Sequence, residues 1–242
     1  MITVSLVSHD HGDMIVSLID SLIKIKEVEN IIVTLNVPEA INFPRSKKIK
    51  VINNPTPIGF GHNHNNAFKY SKSIYFCVIN PDISILKNPF PVLISELKSH
   101  DASLIAPLIL NPKGSTEDSV RHFPSISFLL KKLFFSNKGN IVLDDLNGLY
   151  TPDWVAGMFM LFKSESYRKV NGFDEQFFLY YEDVDLCVRL WNRNLKVVAS
   201  NKAKVIHDAQ RASRNNFAHF GWHILSIIRY LLKHWGRLPK HE

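Results

Sequence analysis

Cysteine is scarce: the chain has only two in 242 residues, too few for a disulfide framework or a cysteine-based zinc knuckle. Cys77 lies inside the apolar run IYFCVI and Cys187 on an apolar helix face, so both read as buried thiols of a reducing compartment. Long hydrophobic runs are also missing, since nowhere do about 18 apolar residues follow one another, the length a membrane span needs. The first residues, MITVSLVSHD, carry no basic stretch and no small-residue cleavage site of a signal peptide. The expectation is a protein that faces the cytosol. Acid is scarcer than base, with 22 Asp and Glu against 29 Lys and Arg, a net charge of +7 and a pI near 9.3. Such an excess suits an anionic partner: a nucleotide sugar, a phospholipid surface or a nucleic acid. Nucleic acid fits poorly, because the basic residues are dispersed and no helix-turn-helix, zinc-finger or RNP pattern occurs. A Walker GK[ST], a GxGxxG fingerprint, internal repeats and low-complexity tracts are absent as well.

What is present is an alternation of short apolar runs with helical patterns. Residues 2–7 read as a strand, 13–25 as a helix, 30–35 and 49–52 as strands, 63–72 as a helix and 74–79 as a buried strand. This alternation predicts an α/β fold with a mostly parallel sheet covered on both faces. Ligands of such sheets bind beyond the carboxyl ends of the strands. Interest therefore falls on SHDHGD, NPTPIGFGHNHNN and NPD, which follow the first, third and fourth strands. Residues 107–150 are less regular, with an apolar patch at 128–135 that reads as a short lid helix or an acceptor-side surface. WVAGMFMLF, residues 154–162, reads as one buried strand, and residues 196–206 as one or two more before His207.

The end of the chain is strongly periodic, which divides it into residues 1–215 and a basic amphipathic helix in 216–242. Phe217, Phe220, Ile224, Ile227, Ile228, Leu231 and Trp235 share one face of that helix; His219, His223, Arg229, Lys233 and Arg237 share the other. Two readings stay open: the helix lies in a membrane interface, with its basic face and Trp222 at anionic headgroups, or its apolar face docks on the domain.

Several polar residues point to chemistry. In FFLYYEDVDLCVRLW, Val184, Cys187, Val188 and Trp191 fall at the spacing of a buried helical face, which puts Glu182, Asp183 and Asp185 at the helix start. Asp185 precedes Arg189 by one helical turn and reads as a surface ion pair. Glu182 and Asp183 lie at the lip of an apolar run, where a carboxylate is kept partly dry and tuned as a base. In NPD, Asp82 suits Mg²⁺ or Mn²⁺. In IGFGHNHNN, Gly59 and Gly61 allow close backbone approach, and the helix opening there suits an anion. His62 and His64 lack a carboxylate or cysteine partner and read as hydrogen-bonding residues; His207 is the better ligand candidate.

Taken together, VSLVSHDHGD, GFGHNHNN, INPDI, DWVAGMFML, VNGFDEQFFLYYEDVDLCVRL, VIH and WHILSIIRYL resemble the family 2 glycosyltransferases of the GT-A fold, and within them the bacterial rhamnosyltransferases. The resemblance implies a Rossmann-like nucleotide-diphospho-sugar transferase fold with a mixed central sheet. It implies an inverting enzyme of O-antigen or other surface polysaccharide synthesis, taking L-rhamnose from dTDP-β-L-rhamnose to N-acetylglucosamine on a polyprenyl diphosphate at the inner leaflet. A UDP-sugar donor or an inactive nucleotide-sugar-binding protein are the alternatives. Carried over residue by residue, Asp183 and Glu182 are the catalytic pair, with Asp183 the base. Asp82 contacts the divalent ion, Mg²⁺ or Mn²⁺, with Asn80 in place of the usual first Asp of the metal motif, and His207 completes the site. Ser8, His9 and Asp10 lie near the nucleoside, and Gly59, Gly61, Asn63 and Asn65 line the nucleotide-sugar loop. Gly157 admits the sugar or acceptor beside Trp154. Where relatives often have an Asp for the base at the end of the second strand, this chain has Thr34, Leu35 and Asn36.

Overall fold

The computed structural model describes residues 1–124, 148–208 and 217–239; the apolar patch at 128–135 lies outside them. Strand β1 (Ile2–Ser8) runs parallel to both β2 (Val28–Leu35) and β4 (Tyr75–Ile79), and β3 (Ile49–Asn53) extends the parallel set beyond β2. On the other side of β4 the sheet changes sense. Strand β10 (Phe159–Lys163) is antiparallel between β4 and β6 (Leu104–Leu110), followed by β11 (Val197–His207), with β5 (Ile83–Ser84) and β8 (Leu149–Tyr150) on its outer flank. The result is the expected mixed sheet, with nine strands among the described residues. A two-stranded ribbon of β7 (Val120–Arg121) and β9 (Trp154–Val155) lies apart from it.

Side-chain alternation along β1 explains the two covered faces. Ile2, Val4 and Leu6 point into one core with Ile15, Ile19 and Leu22 of helix α1 (Asp13–Ile23) and Leu93 and Leu97 of α3 (Phe90–Ser99). Thr3 and Ser5 point the other way and are buried but paired: Thr3 donates to the Ser73 hydroxyl at 2.9 Å, and Ser5 meets His64 Nδ1 at 2.8 Å. His64 belongs to α2 (Phe60–Phe68), and burial pushes its pKa down to about 3. It is a neutral structural histidine. The second core collects α4 (Ser164–Lys169), α5 (Glu182–Trp191) and Tyr230 of α6 (Phe217–His234).

Three elements differ from the sequence reading. Helix α2 begins at Phe60 and ends at Phe68, earlier than the 63–72 expected. The run at 154–162 is not one strand: it breaks at residues 156–158 into β9 and β10, which belong to different sheets. Strand β6, hidden by Pro107, is a buried inner strand. Pro107 fits there because the register with β11 shifts between Ser200 and Lys204, next to its own pairing position.

Of the two readings left open for helix α6, docking through its apolar face is not what the structure shows. Phe220, Ile224, Leu225, Ile228, Leu232 and Trp235 are exposed, while Ser226, Tyr230 and His234 are buried against the domain. The polar face docks and much of the apolar face is turned outward. The basic groups follow the polar face: Lys233 pairs with Asp174 and Asp185, Arg229 donates to the Gln176 carbonyl, and Trp222 packs on Phe178 with ring centres 4.7 Å apart. No helix among the described residues is long and apolar enough to cross a membrane.

Candidate active site

The ends of β1, β4 and β11 and the starts of β10 and α5 meet at one edge of the sheet. Asp183 is the centre of that meeting. Its Oδ2 accepts the Gly157 N–H at 2.9 Å and its Oδ1 accepts the Val184 N–H at 2.8 Å. One residue further on, the Met158 carbonyl accepts the Asn80 N–H at 2.9 Å. The break between β9 and β10 thus ties the carboxylate to the NPD turn. Burial raises the pKa of Asp183, while the Gly157 and Val184 amides and the nearby Arg121 guanidinium work in the opposite sense. Glu182 is raised further above the carboxylate range, by burial and by the neighbouring Asp183 charge, and its Oε2 has no partner among the described residues. The two carboxyls thus titrate as a pair, with Glu182 raised further than Asp183 because only Asp183 accepts the Gly157 and Val184 amides.

The backbone leading into this pair is strained. Tyr180 and Tyr181 both adopt left-handed conformations, with φ of 71° and 65°, which costs a non-glycine residue about 1–2 kcal/mol each. The chain reverses there, so that α5 starts with Asp183 facing Gly157. A Cβ on Gly157 would come within 3.3 Å of the Phe60 ring and 3.8 Å of the Asp183 Cβ, so this glycine makes room for protein groups. Gly59 does the same: a Cβ there would lie 2.7 Å from the Phe178 carbonyl, and the Phe60 N–H donates to that carbonyl at 2.9 Å.

A second polar cluster surrounds NPD. His207, at the end of β11, lies 3.0 Å from Asp82 through Nε2 and 2.7 Å from Glu117 through Nδ1. Burial opposes the imidazolium, but the two carboxylates outweigh it and push its pKa up to about 9. Asp82 Oδ1 is buried without a partner among the described residues. Glu117 was not singled out from the sequence; the polar run STEDSVR was the available signal, set in a segment without periodicity.

The first loop is organised by Glu39, another residue the sequence reading missed. Its carboxylate accepts the Ser8 hydroxyl at 2.8 Å and the N–H groups of Asp10, His11 and Gly12 at 2.8, 3.1 and 3.4 Å. His9 and Asp10 are exposed there, whereas Ser8 is buried. Burial lowers the pKa of His11, with the Asp82 and Glu39 charges acting against it.

Some expected ligand contacts are instead internal. Asn36 clamps Ile58 by accepting its N–H at 2.9 Å and donating to its carbonyl at 3.0 Å. Asn63 is fully buried and bonded to Asn36, Asn54, Ile58 and Gly59. Asn65 holds Phe173, Tyr167 and Glu175, and a Cβ on Gly61 would sit 2.5 Å from the Phe173 Cβ. These residues shape the loop through protein contacts. Trp154 is 8% exposed, donates to the His122 carbonyl and has Arg121 over its ring. It is a core residue, not an open wall for a sugar.

Comparison with known proteins follows the same lines. Residues 3–170 match the family described as Glycosyl transferase family 2, and residues 139–213 match one described as N-terminal domain of galactosyltransferase. The rhamnosyltransferase WbbL of Escherichia coli is 31% identical over 96% of this chain and 93% of its own. An N-acetylglucosaminyl-diphospho-decaprenol L-rhamnosyltransferase of Mycobacterium tuberculosis is 29% identical over 67% of this chain and 57% of its own length. Among solved structures, GalNAc-T7 crystallised with UDP, GalNAc and Mn²⁺ superposes with a TM-score of 0.67 at 15% identity. It covers 89% of this chain, which spans 44% of that protein, and the likeness is one of fold, the GT-A fold. With the sheet, the carboxylate pair and the NPD turn in that arrangement, and with the family match running over residues 3–170, the chain belongs to glycosyl transferase family 2.

Proposed function

We propose that the protein is an inverting rhamnosyltransferase that moves L-rhamnose from dTDP-β-L-rhamnose to N-acetylglucosamine on a polyprenyl diphosphate, in the assembly of a surface polysaccharide. The carrying observation is Asp183, a half-buried carboxylate bonded at both oxygens to backbone N–H groups 2.9 and 2.8 Å away. Those donors fix its orientation without neutralising it. Asp183 accepts the proton of the acceptor hydroxyl as that oxygen bonds to the anomeric carbon. The bond from that carbon to the diphosphate breaks, its electron pair leaving with the nucleotide. Burial and the Asp183 charge disfavour a second negative charge on Glu182 beside the base.

Asp82 and His207 are the groups that would hold Mg²⁺ or Mn²⁺. The fit is chemical: Asp82 Oδ1 is a buried oxygen without a partner among the described residues. His207, now an ion-pair partner of Asp82 and Glu117, would join it as a ligand on giving up its Nε2 proton, with Glu117 still holding Nδ1. No cluster of three metal-binding side chains occurs among the described residues, so substrate diphosphate and water would supply further ligands. When bound, such an ion neutralises charge growing on the leaving diphosphate. The exposed row on α6, Phe220, Ile224, Leu225, Ile228, Leu232 and Trp235, supports docking on the inner leaflet, where a polyprenyl-linked acceptor resides.

Calorimetric titration with dTDP and with UDP, each with and without Mn²⁺, tests the donor. Metal-dependent preference for dTDP is expected. Preference for UDP would assign the same site to a UDP-sugar, and failure of both to bind would remove the transferase reading.

A further inference from the structure

The polar face of α6 contacts one segment of the domain along nearly its whole length, and that segment leads into the carboxylate pair. Lys233 binds Asp174 at 2.6 Å, and Ser226 donates to the Leu179 carbonyl at 2.9 Å. His219 meets the Tyr180 hydroxyl at 3.0 Å, while His223 stands edge-on to the Tyr180 and Tyr181 rings, and Tyr230 packs on Tyr181. Tyr180 and Tyr181 are the two left-handed residues. The series ends at Asp185, whose side chain is wholly buried. Its Oδ1 takes His234 Nε2 at 2.8 Å and the Lys233 ammonium at 2.6 Å, while Oδ2 takes Arg189 Nε at 2.7 Å. The Asp185 N–H closes the first turn of α5 on the Tyr181 carbonyl at 2.9 Å. The surface pair expected for Asp185 and Arg189 exists, yet it is a buried junction between two helices.

We propose that α6 is a splint for the segment at 174–185, and that Asp185, gripped by Lys233 and His234, is the positioning residue that holds Asp183 against the Gly157 amide. A turn with two left-handed tyrosines persists only where its surroundings over-determine it, and α6 supplies those surroundings. The helix that carries the exposed apolar row is thereby the one that sets the base. The inference rests on Asp183 being the base, but its first test needs no substrate.

The test is hydrogen exchange by mass spectrometry on the full chain, wild type against a Lys233→Met/His234→Gln double variant that leaves Asp185 its Arg189 partner. The Gly157 amide, whose acceptor is the Asp183 carboxylate, should exchange at least about tenfold faster in the variant, with β1 amides unchanged. Unchanged Gly157 exchange beside accelerated exchange in α6 would overturn the proposal. The second readout is kinetic: kcat should fall at least about tenfold with nucleotide affinity within about twofold, the signature of a misplaced base. A lower Tm with unaltered kcat per folded molecule would instead make the contact merely structural and sink the idea. Asp185→Asn should reproduce both effects. If that variant does not fold, the double variant decides; if no donor is turned over by the wild type, the exchange result decides alone.

Discussion

The two sides of the site are built on opposite terms. On the side of the first loop most polar groups are bonded within the chain, although Asp10 is left-handed (φ 66°) and Thr34 Oγ1 has no partner among the described residues. Asn36, Asn54 and Asn63 bond to one another and to Ile58, and Glu39 takes up the Ser8 hydroxyl and three successive N–H groups. On the side of the carboxylates, Glu182 Oε2 lacks a partner, two tyrosines are left-handed, and order is imported from α6. A pocket for a flexible diphosphate gains from a rigid, pre-bonded frame, because less freedom is lost on binding. A base must be ionised yet half-dry, and the polar groups that do this are left strained or unpaired. Stability and reactivity are thus concentrated in different walls of one cleft.

The sharpest break in that contrast comes from Asp183→Asn. It should lower transfer by about 1,000-fold, within the range for a lost general base, while calorimetry finds the nucleotide bound about as tightly as in the wild type. Equal losses of both would mean that the carboxylate binds donor. On the other wall, Asn36→Ala removes the clamp on Ile58 and leaves the half-buried amide of Asn54 and the buried amide of Asn63 short of partners. Denaturant unfolding should show a loss of about 2–3 kcal/mol, with kcat of the remaining folded enzyme largely kept.

A smaller effect concerns acid. Burial opposes the Asp185 carboxylate, but His234, Arg189 and Lys233 outweigh it and hold its pKa down to about 2. Its folded value is depressed, so its stabilisation is complete above the unfolded value near ~4 and is lost as pH falls through about 2, a change of about 2 kcal/mol. Thermal unfolding of Asp185→Asn should lack that part of the acid dependence; an identical acid slope in both proteins would place the depressed group elsewhere.

Legibility in the sequence followed the range of the interactions. Strands β1 to β4 were readable because alternation is local, and so was α5, whose Val184, Cys187 and Val188 are buried as their spacing predicts. Strand β6 was masked by a proline that a register shift accommodates. For α6 the pattern revealed an apolar and a polar face but not which of them meets the domain, since that depends on acceptors in a segment distant in sequence. Asp185 shows the same limit: its bond to Arg189 lies four residues away and was legible, whereas its bond to His234 spans 49 residues. Glu117 and His207 are 90 residues apart, and only the folded sheet edge unites them. The Gly59 and Gly61 motif, read as lining the nucleotide-sugar loop, makes close approaches to Phe178 and Phe173.

The most direct test of the account is the anomeric configuration of the product formed from dTDP-β-L-rhamnose, read by NMR. A single displacement with Asp183 as base predicts an α-L-rhamnoside. A β-linked product would mean retention, which a single in-line displacement cannot give, and would contradict the role given to Asp183.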